Sequence, residues 1–159
     1  MSKFQIIVGS MLGGTEYVAE ACEEQLKTLN HDVNLHLNPD LSSILKITFD
    51  NNKDSYNNKK NIWLICTSTH GAGDFPDNIQ TFVNDLKNCE QDLSSVTYLI
   101  IATGDSNYDT FCKAGYDINK ILITKGCNRL LDIKTLDMSL DIDPEELAQL
   151  WIDQHSDLL

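Results

Sequence analysis

Basic residues are scarce. The 159-residue chain has 12 Lys and Arg against 24 Asp and Glu, a net charge of −12. Nucleic-acid surfaces need clustered Lys and Arg to neutralise phosphates, so this balance disfavours a nucleic-acid partner. Two readings of the acidity remain, solubility and steering toward a basic partner, and salt weakens the second. Paired cysteines are also missing. Cys22, Cys66, Cys89, Cys112 and Cys127 are odd in number, widely spaced and form no C-x-x-C. That fits neither a disulfide framework nor a zinc site, and it points to a reducing compartment, the cytoplasm. Long hydrophobic runs are absent. The apolar stretch Phe4–Val8 is too short to cross a membrane and no cleavage-site pattern follows it, so it reads as a strand. No period of 20–50 residues repeats, which excludes a solenoid. The length suggests one domain spanning 1–159, and such a chain buries roughly 68–70% of its unfolded surface without staples.

What is present alternates. Phe4–Val8 is a nearly all-apolar strand, as a parallel strand covered on both faces requires. Val18, Cys22, Leu26 and Leu29 recur at helical spacing. Val33–Leu37 alternates with period two, as an edge strand with one wet face does. From Asn38 to Lys60, Pro39 and two Asn-rich runs read as loop, with a helical turn or two over Leu41–Ile47, and this stretch is expected to be the most mobile. Ile62–Cys66 and Val96–Ala102 are central strands. Each feeds a polar loop and then a helix, the first carrying Ile79, Phe82, Val83 and Leu86 with Asp77 or Asn78 as its cap. The second helix carries Phe111, Ala114, Ile118, Ile121 and Leu122 and stops at Gly126. Cys127–Leu131 is a fifth strand candidate. The last helix opens with Asp143 as cap, Pro144 in its first turn and Glu146 closing a capping box, and it buries Leu147, Leu150 and Trp151. Five strands with intervening helices imply an open, mostly parallel α/β sheet with right-handed crossovers.

In such a sheet the ligand lies beyond the carboxyl ends of the strands, where strand order reverses. Three loops fall on that edge. The first, Ser10-Met11-Leu12-Gly13-Gly14-Thr15, leads straight into a helix whose free N–H groups and dipole make an anion site. It has neither the Lys of a P-loop nor a G-x-G-x-x-G. A nucleotide with Mg²⁺ would need that cation, whereas one phosphate monoester needs only N–H groups, the hydroxyls of Ser10 and Thr15, and the helix terminus. The second loop runs Ser68-Thr69-His70-Gly71-Ala72-Gly73-Asp74. Gly71 and Gly73 permit close backbone approach, and His70 offers a flat stacking surface or is a plain loop residue. The third is Thr103-Gly104-Asp105-Ser106-Asn107-Tyr108, continuing to Phe111 and Cys112. Tyr108 at its tip can cover a planar ligand. Phe111 packs the start of the next helix at least in part, and Cys112 packs against ligand or core rather than acting as a nucleophile.

Ser-x-Leu-Gly-Gly-Thr-Glu after the first strand, Ser-Thr-His-Gly-Ala-Gly-Asp-x-Pro-Asp-Asn after the third and Gly-Asp-x-x-Tyr-Asp-x-Phe-Cys after the fourth resemble the flavodoxin family, and within it the small stand-alone MioC-type flavodoxins. The resemblance spans the chain from the first strand to the last helix. It implies a five-stranded parallel sheet of order 2-1-3-4-5 with helices on both faces, and FMN as cofactor. By this resemblance Ser10, Met11, Leu12, Gly13, Gly14 and Thr15 hold the phosphate, and Ser68 and Thr69 lie near the ribityl chain and ring. Gly71 offers its carbonyl to the flavin N5–H through a peptide flip. Tyr108 stacks on the outer ring face, His70 takes the place of the aromatic on the other face, and Thr103, Gly104 and Asp105 line the pyrimidine edge. Gly73, Phe111 and Cys112 complete the set. Leu12 stands where many relatives have Thr, which removes one hydroxyl donor, and His70 stacks less strongly than the Trp or Tyr common there.

The resemblance also implies a one-electron carrier with no catalytic residue and no metal, because the cofactor supplies the chemistry. Asp74, Asp105 and Asp109 around the ring disfavour added negative charge and so keep its potential low. A flavoprotein reductase would donate, and an iron–sulfur enzyme such as biotin synthase would accept, through transient, electrostatically steered contacts of a monomer. One rival is an NAD(P)H-dependent FMN quinone reductase on the same fold, which usually needs Arg or a second subunit at its nicotinamide site. Another is a flavin-free receiver domain. A receiver needs an Asp where this chain has Cys66-Thr67-Ser68, and an acidic pair where it has Gly9-Ser10.

Overall fold

The computed structural model describes residues 1–50 and 59–159. In chain order the elements are β1 (Lys3–Gly9), α1 (Gly14–Thr28), β2 (Asp32–His36), α2 (Leu41–Thr48), β3 (Asn61–Thr67), α3 (Asp77–Lys87), β4 (Thr97–Gly104), α4 (Lys113–Thr124), β5 (Asn128–Arg129), β6 (Lys134–Asp137) and α5 (Pro144–Gln154), followed by a short 3₁₀ turn over Ser156–Leu158. All strand pairs are parallel and the sheet order is β2-β1-β3-β4-β5, with β6 also on β4. The order 2-1-3-4-5 is therefore the one the resemblance implies.

Alternation along the central strands feeds two cores, because successive side chains of a strand point to opposite faces. Phe4, Ile6 and Val8 of β1, Ile62, Leu64 and Cys66 of β3, and Leu99 and Ile101 of β4 pack under α1 and α5. Ile7, Trp63, Ile65, Tyr98, Ile100 and Ala102 pack under α2, α3 and α4. Both faces are covered, which is why these strands read as unbroken apolar runs. Two large aromatic side chains with polar tips find partners in the core: Trp63 Nε1–H donates to Thr48 Oγ1 at 3.0 Å and the Tyr98 hydroxyl to Asn119 Oδ1 at 2.7 Å.

Four local expectations change. The stretch read as loop from Asn38 holds a true helix, α2, whose N-cap Asp40 accepts the Ser43 N–H at 3.0 Å. The Asn-rich residues 51–58 lie outside the described residues. The fifth strand is in two pieces. β5 pairs with Thr97 and Tyr98, the chain then leaves the sheet, and β6 returns to pair with Ile101–Gly104. β6 thus continues the rank of β5 on the side of β4 opposite β3. In α5 the buried stripe is Ala148, Trp151 and Ile152, while Leu150 is 46% exposed. Asp143 caps that helix as expected, its Oδ1 accepting the Glu146 N–H at 3.1 Å, with Pro144 in the first turn. Finally, neither Asp77 nor Asn78 caps α3. Its N-cap is Pro76, and Asn78 is used elsewhere.

Candidate functional site

The strand ends align. Gly9 of β1 is level with Thr67 of β3, Thr67 with Ala102 of β4, and Gly104 with Asp137 of β6. The loops after β1, β3 and β4 consequently share one edge of the sheet. β1 has β2 on one side and β3 on the other, so the chain's order reverses there, the place where open α/β sheets bind ligands.

The first loop is shaped by its own polar groups. Asn78, in the first turn of α3, makes three hydrogen bonds: Oδ1 accepts the Ser10 N–H at 2.9 Å, and Nδ2 donates to the carbonyls of Val8 at 2.7 Å and Leu37 at 2.9 Å. Ser10 Oγ accepts the Gly13 N–H at 3.2 Å, and Gly13 has φ 88°, a conformation that favours glycine. The Met11 thioether accepts the Asp77 N–H at 3.3 Å. Once these bonds are made, the N–H groups of Met11, Leu12, Gly14, Thr15 and Glu16 have no acceptor among the described residues. Leu12 is 98% exposed and adds nothing to the core. Thr15 is only 4% exposed and its hydroxyl sits 2.7 Å from that of Thr103. One hydroxyl of that pair donates to the other, so one proton remains for a ligand.

The second loop is a tight hairpin. His70 and Asp74 exchange backbone hydrogen bonds of 2.8 and 2.7 Å, with Gly71 at φ 53° and Gly73 at φ 112°. Two contacts fasten it to α4. Thr69 Oγ1 accepts the Ala114 N–H at 3.0 Å. The stem of Lys113 crosses Gly73 so closely that a Cβ there would lie 2.5 Å from Lys113 Cδ. Gly73 is thus buried toward α4 and does not line the cleft described below, unlike Gly71. His70 is exposed at the hairpin. Ser68 is tied back to the sheet by its N–H, which donates to the Gly9 carbonyl at 3.0 Å.

The third loop is built from successive turns. Tyr108 N–H donates to the Asp105 carbonyl and Phe111 N–H to the Tyr108 carbonyl, both at 3.1 Å, and Asp105 Oδ1 accepts the Asn107 N–H at 2.9 Å. These turns hold Tyr108 outward, 67% exposed. Phe111 packs against the core, as its reading as a packing residue allowed. Cys112 is fully buried at φ 55°, and its Sγ–H points to the Ala102 carbonyl at 3.4 Å. Burial first, and then the charge of Asp137, pushes its thiol up to about 12, so it holds no thiolate at neutral pH.

Between the second and third loops lies a cleft of about 350 Å³, with Thr69 and Gly71 on one side and Gly104, Asp105, Tyr108 and Cys112 on the other. A wider, shallow groove of about 670 Å³ runs between α1, β2 and α5, but it holds none of the three loops. Lys113, whose stem crosses Gly73 of the hairpin, is paired with Asp117. No group of three His, Cys, Asp or Glu among the described residues could hold a metal, and no described helix is long and apolar enough to cross a membrane.

Sequence reasoning missed Asn78 and Asp137. Asn78, like Asp77 beside it, stands where such residues commonly cap a helix, and that use hides its long-range bonds. Asp137 Oδ1 accepts the N–H groups of Ser106 and Ser139, both at 3.1 Å, and the Ser139 hydroxyl at 2.7 Å. Hydrogen bonds from Ser106 and Ser139 hold the Asp137 carboxyl at about 2. The Asp-x-Ser turn was legible as a turn signal, but its bond to Ser106 spans 31 residues and was not.

A family model described as flavodoxin matches residues 6–151. A MioC homologue of Pasteurella multocida is 35% identical over 153 residues, covering 96% of this chain and 95% of that one. The MioC protein of Escherichia coli K12 is 34% identical over 162 residues, covering 100% and 99%. Among solved structures, a flavodoxin from Pseudomonas aeruginosa carrying one cysteine-to-alanine mutation superposes with a TM-score of 0.85 at 25% identity, covering 99% of this chain and 98% of that one.

Proposed function

The chain belongs to the flavodoxin family, and on that premise we propose that it binds FMN non-covalently at this edge and carries single electrons from a flavoprotein reductase to an acceptor enzyme. The observation that carries the reading is the set of five unpaired N–H groups, from Met11, Leu12, Gly14, Thr15 and Glu16, gathered at one helix start with no cation in the loop. That donor set suits one phosphate monoester. It would be supplemented by the Ser10 hydroxyl and the free proton of the Thr15–Thr103 pair. The cleft of about 350 Å³ falls within the usual range for small-ligand sites.

When bound, FMN supplies the redox chemistry, accepting and releasing electrons. The protein's residues do the rest. Thr69 and Gly71 would border one side of the ring and Gly104 and Asp105 the other, with Tyr108 over its outer face; by the family resemblance alone Thr103 would stand at the pyrimidine edge. By the family resemblance His70 would stand at the inner face and Ser68 near the ribityl chain. Gly71 has the freedom to reorient its peptide: at φ 53° its position suits glycine, and an added Cβ would meet only Asp74 Oδ2 at 3.8 Å. Asp105 lines the cleft, and Asp74 and Asp109 belong to the two loops that flank it; their charge would oppose further negative charge on the ring and keep the donor potential low. The excess of acids would steer a basic reductase and a basic acceptor into brief contact, faster at low salt. An iron–sulfur enzyme, such as biotin synthase, fits as acceptor by the family resemblance alone.

The test starts from apoprotein titrated with FMN, followed by reductive titration. One FMN per chain and two separate one-electron steps are expected. A protein that takes both electrons together and is reduced directly by NADPH, with no reductase present, would instead be the quinone reductase. No observation at the cleft favours that rival: no Lys or Arg among the described residues lines it, and Lys113 beside the hairpin is already paired.

A further inference from the structure

We propose that Asp137 is a positioning residue for the cofactor: its carboxylate fixes the start of the third loop, and so the stacking Tyr108, while presenting a permanent negative charge at the ring edge. The inference rests on the FMN reading of the cleft. Its geometry stands on β6, the strand piece that the sequence concealed.

β6 runs parallel to the end of β4 and sets Asp137 level with Gly104. Met138 N–H then donates to the Gly104 carbonyl at 2.7 Å, which completes the ladder at the point where β4 becomes loop. Beyond that point the carboxylate takes over. One oxygen, Oδ1, gathers the N–H groups of Ser106 and Ser139 and the Ser139 hydroxyl, and the two serine hydroxyls meet at 3.2 Å. Every turn that sets Tyr108 is counted from here. The Tyr108 N–H reaches back to the Asp105 carbonyl, and the Phe111 N–H reaches back to the Tyr108 carbonyl. Releasing Ser106 therefore frees the turn that carries the ring cover. On the other side the loop is anchored by buried Cys112 and by the Thr69–Ala114 bond. Asp137 is thus one of two clamps, and it is the one that carries charge.

The hydrogen bonds favour the ionised form of Asp137, and its place level with Gly104, a residue that lines the cleft, puts that charge one strand away from it. A fixed anion there opposes the arrival of a second electron on a bound ring.

Asp137→Asn and Asp137→Ala in the full chain separate the two roles. Asn keeps a carbonyl acceptor for Ser106 and Ser139 and drops the charge. It should leave FMN affinity within about threefold of wild type and move the second-electron potential to a more positive value. Ala removes the acceptor as well, and should weaken FMN by about tenfold, with the same direction of potential shift. Amide exchange on cofactor-free protein gives a readout independent of FMN: Ser106 and Ser139 should be protected in wild type and in Asp137→Asn, and open in Asp137→Ala. Unchanged FMN affinity in Asp137→Ala, or unchanged exchange at Ser106, overturns the positioning role. Unchanged potential in Asp137→Asn overturns the role of the charge. Wild-type apoprotein that takes up no FMN overturns the functional reading instead, while exchange still judges the clamp. If Asp137→Ala does not fold, amide exchange in wild type decides the clamp: a Ser106 N–H protected by its bond to Asp137 is expected, and one that exchanges as fast as an open loop amide overturns the positioning role.

Discussion

At the scale of single residues, what the sequence made legible was backbone conformation. Gly13 and Gly71 adopt positive φ in the loops where a glycine was expected to serve the ligand. Gly73 also adopts positive φ, but it serves packing against Lys113, because a glycine's use depends on which neighbour approaches it and sequence does not name that neighbour. Thr103 shows the same limit. Its reading as a pyrimidine-edge residue took no account of Thr15, 88 residues away, whose hydroxyl it meets in a buried position at 2.7 Å. Thr103→Val keeps the volume and removes that partner. Thr15 Oγ1 is then left unpaired among buried groups, which costs about 1–3 kcal/mol. Urea unfolding should show a lower midpoint at unchanged m-value, and Thr103→Ser should recover most of the loss. A Thr103→Val protein as stable as wild type would mean that the hydroxyl pair contributes nothing.

At the scale of elements, periodicity was a sound guide wherever a segment is long and has one apolar stripe. α1 and α3 and the strands β1, β3 and β4 fall where the spacing puts them, and α4 does so only from Lys113 onward, which leaves Phe111, read as part of that helix, in the loop before its cap. It failed for short or interrupted pieces. β5 is two residues and β6 four, with Leu131–Ile133 leaving the sheet between them, so neither piece is long enough to show alternation. α2 has an apolar stripe in Leu41, Ile44 and Leu45, but its eight residues sit after Pro39 and before an Asn-rich run, and those loop signals outweighed it. Asn78 joins three elements at once, which no window over a single element can reveal. It holds the ends of β1 and β2 and the N–H of Ser10 from the first turn of α3. Asn78→Ala strands one part-buried donor and two carbonyls and should cost about 2–3 kcal/mol by denaturant unfolding. Because the Ser10 N–H anchors the first loop, FMN binding should weaken by about tenfold in the same variant. A loss of stability with FMN affinity intact would detach Asn78 from the phosphate loop.

For the whole molecule, a charge of −12 and a sequence pI near 4.5 imply strong self-repulsion at neutral pH that acid relieves. Between pH 7 and about 5 that relief is small, because ordinary carboxylates titrate near 4. The histidines govern this window. Burial lowers the pKa of His31, with the N-terminal charge adding to it, and burial lowers that of His36. The geometry at His31 agrees, since its Nδ1 accepts the Ser2 N–H at 3.0 Å and a proton there would break the bond. A histidine whose pKa is lower folded than unfolded leaves the unfolded chain holding more protons, so stability rises with pH. Its contribution is complete above the unfolded value of about 6.5 and is lost as pH falls through the lowered folded values. Unfolding free energy should therefore decline from pH 7 toward 5 even as net repulsion eases. His31→Asn offers Oδ1 to the Ser2 N–H and cannot titrate. It also loses the edge contact with Phe4, whose ring centroid is 5.1 Å away, so its stability at pH 7 should be lower. The slope is the discriminating quantity. Urea titrations at several pH values should show a shallower decline in His31→Asn than in wild type, whereas parallel curves would leave His36 and the global charge to account for the pH dependence without His31.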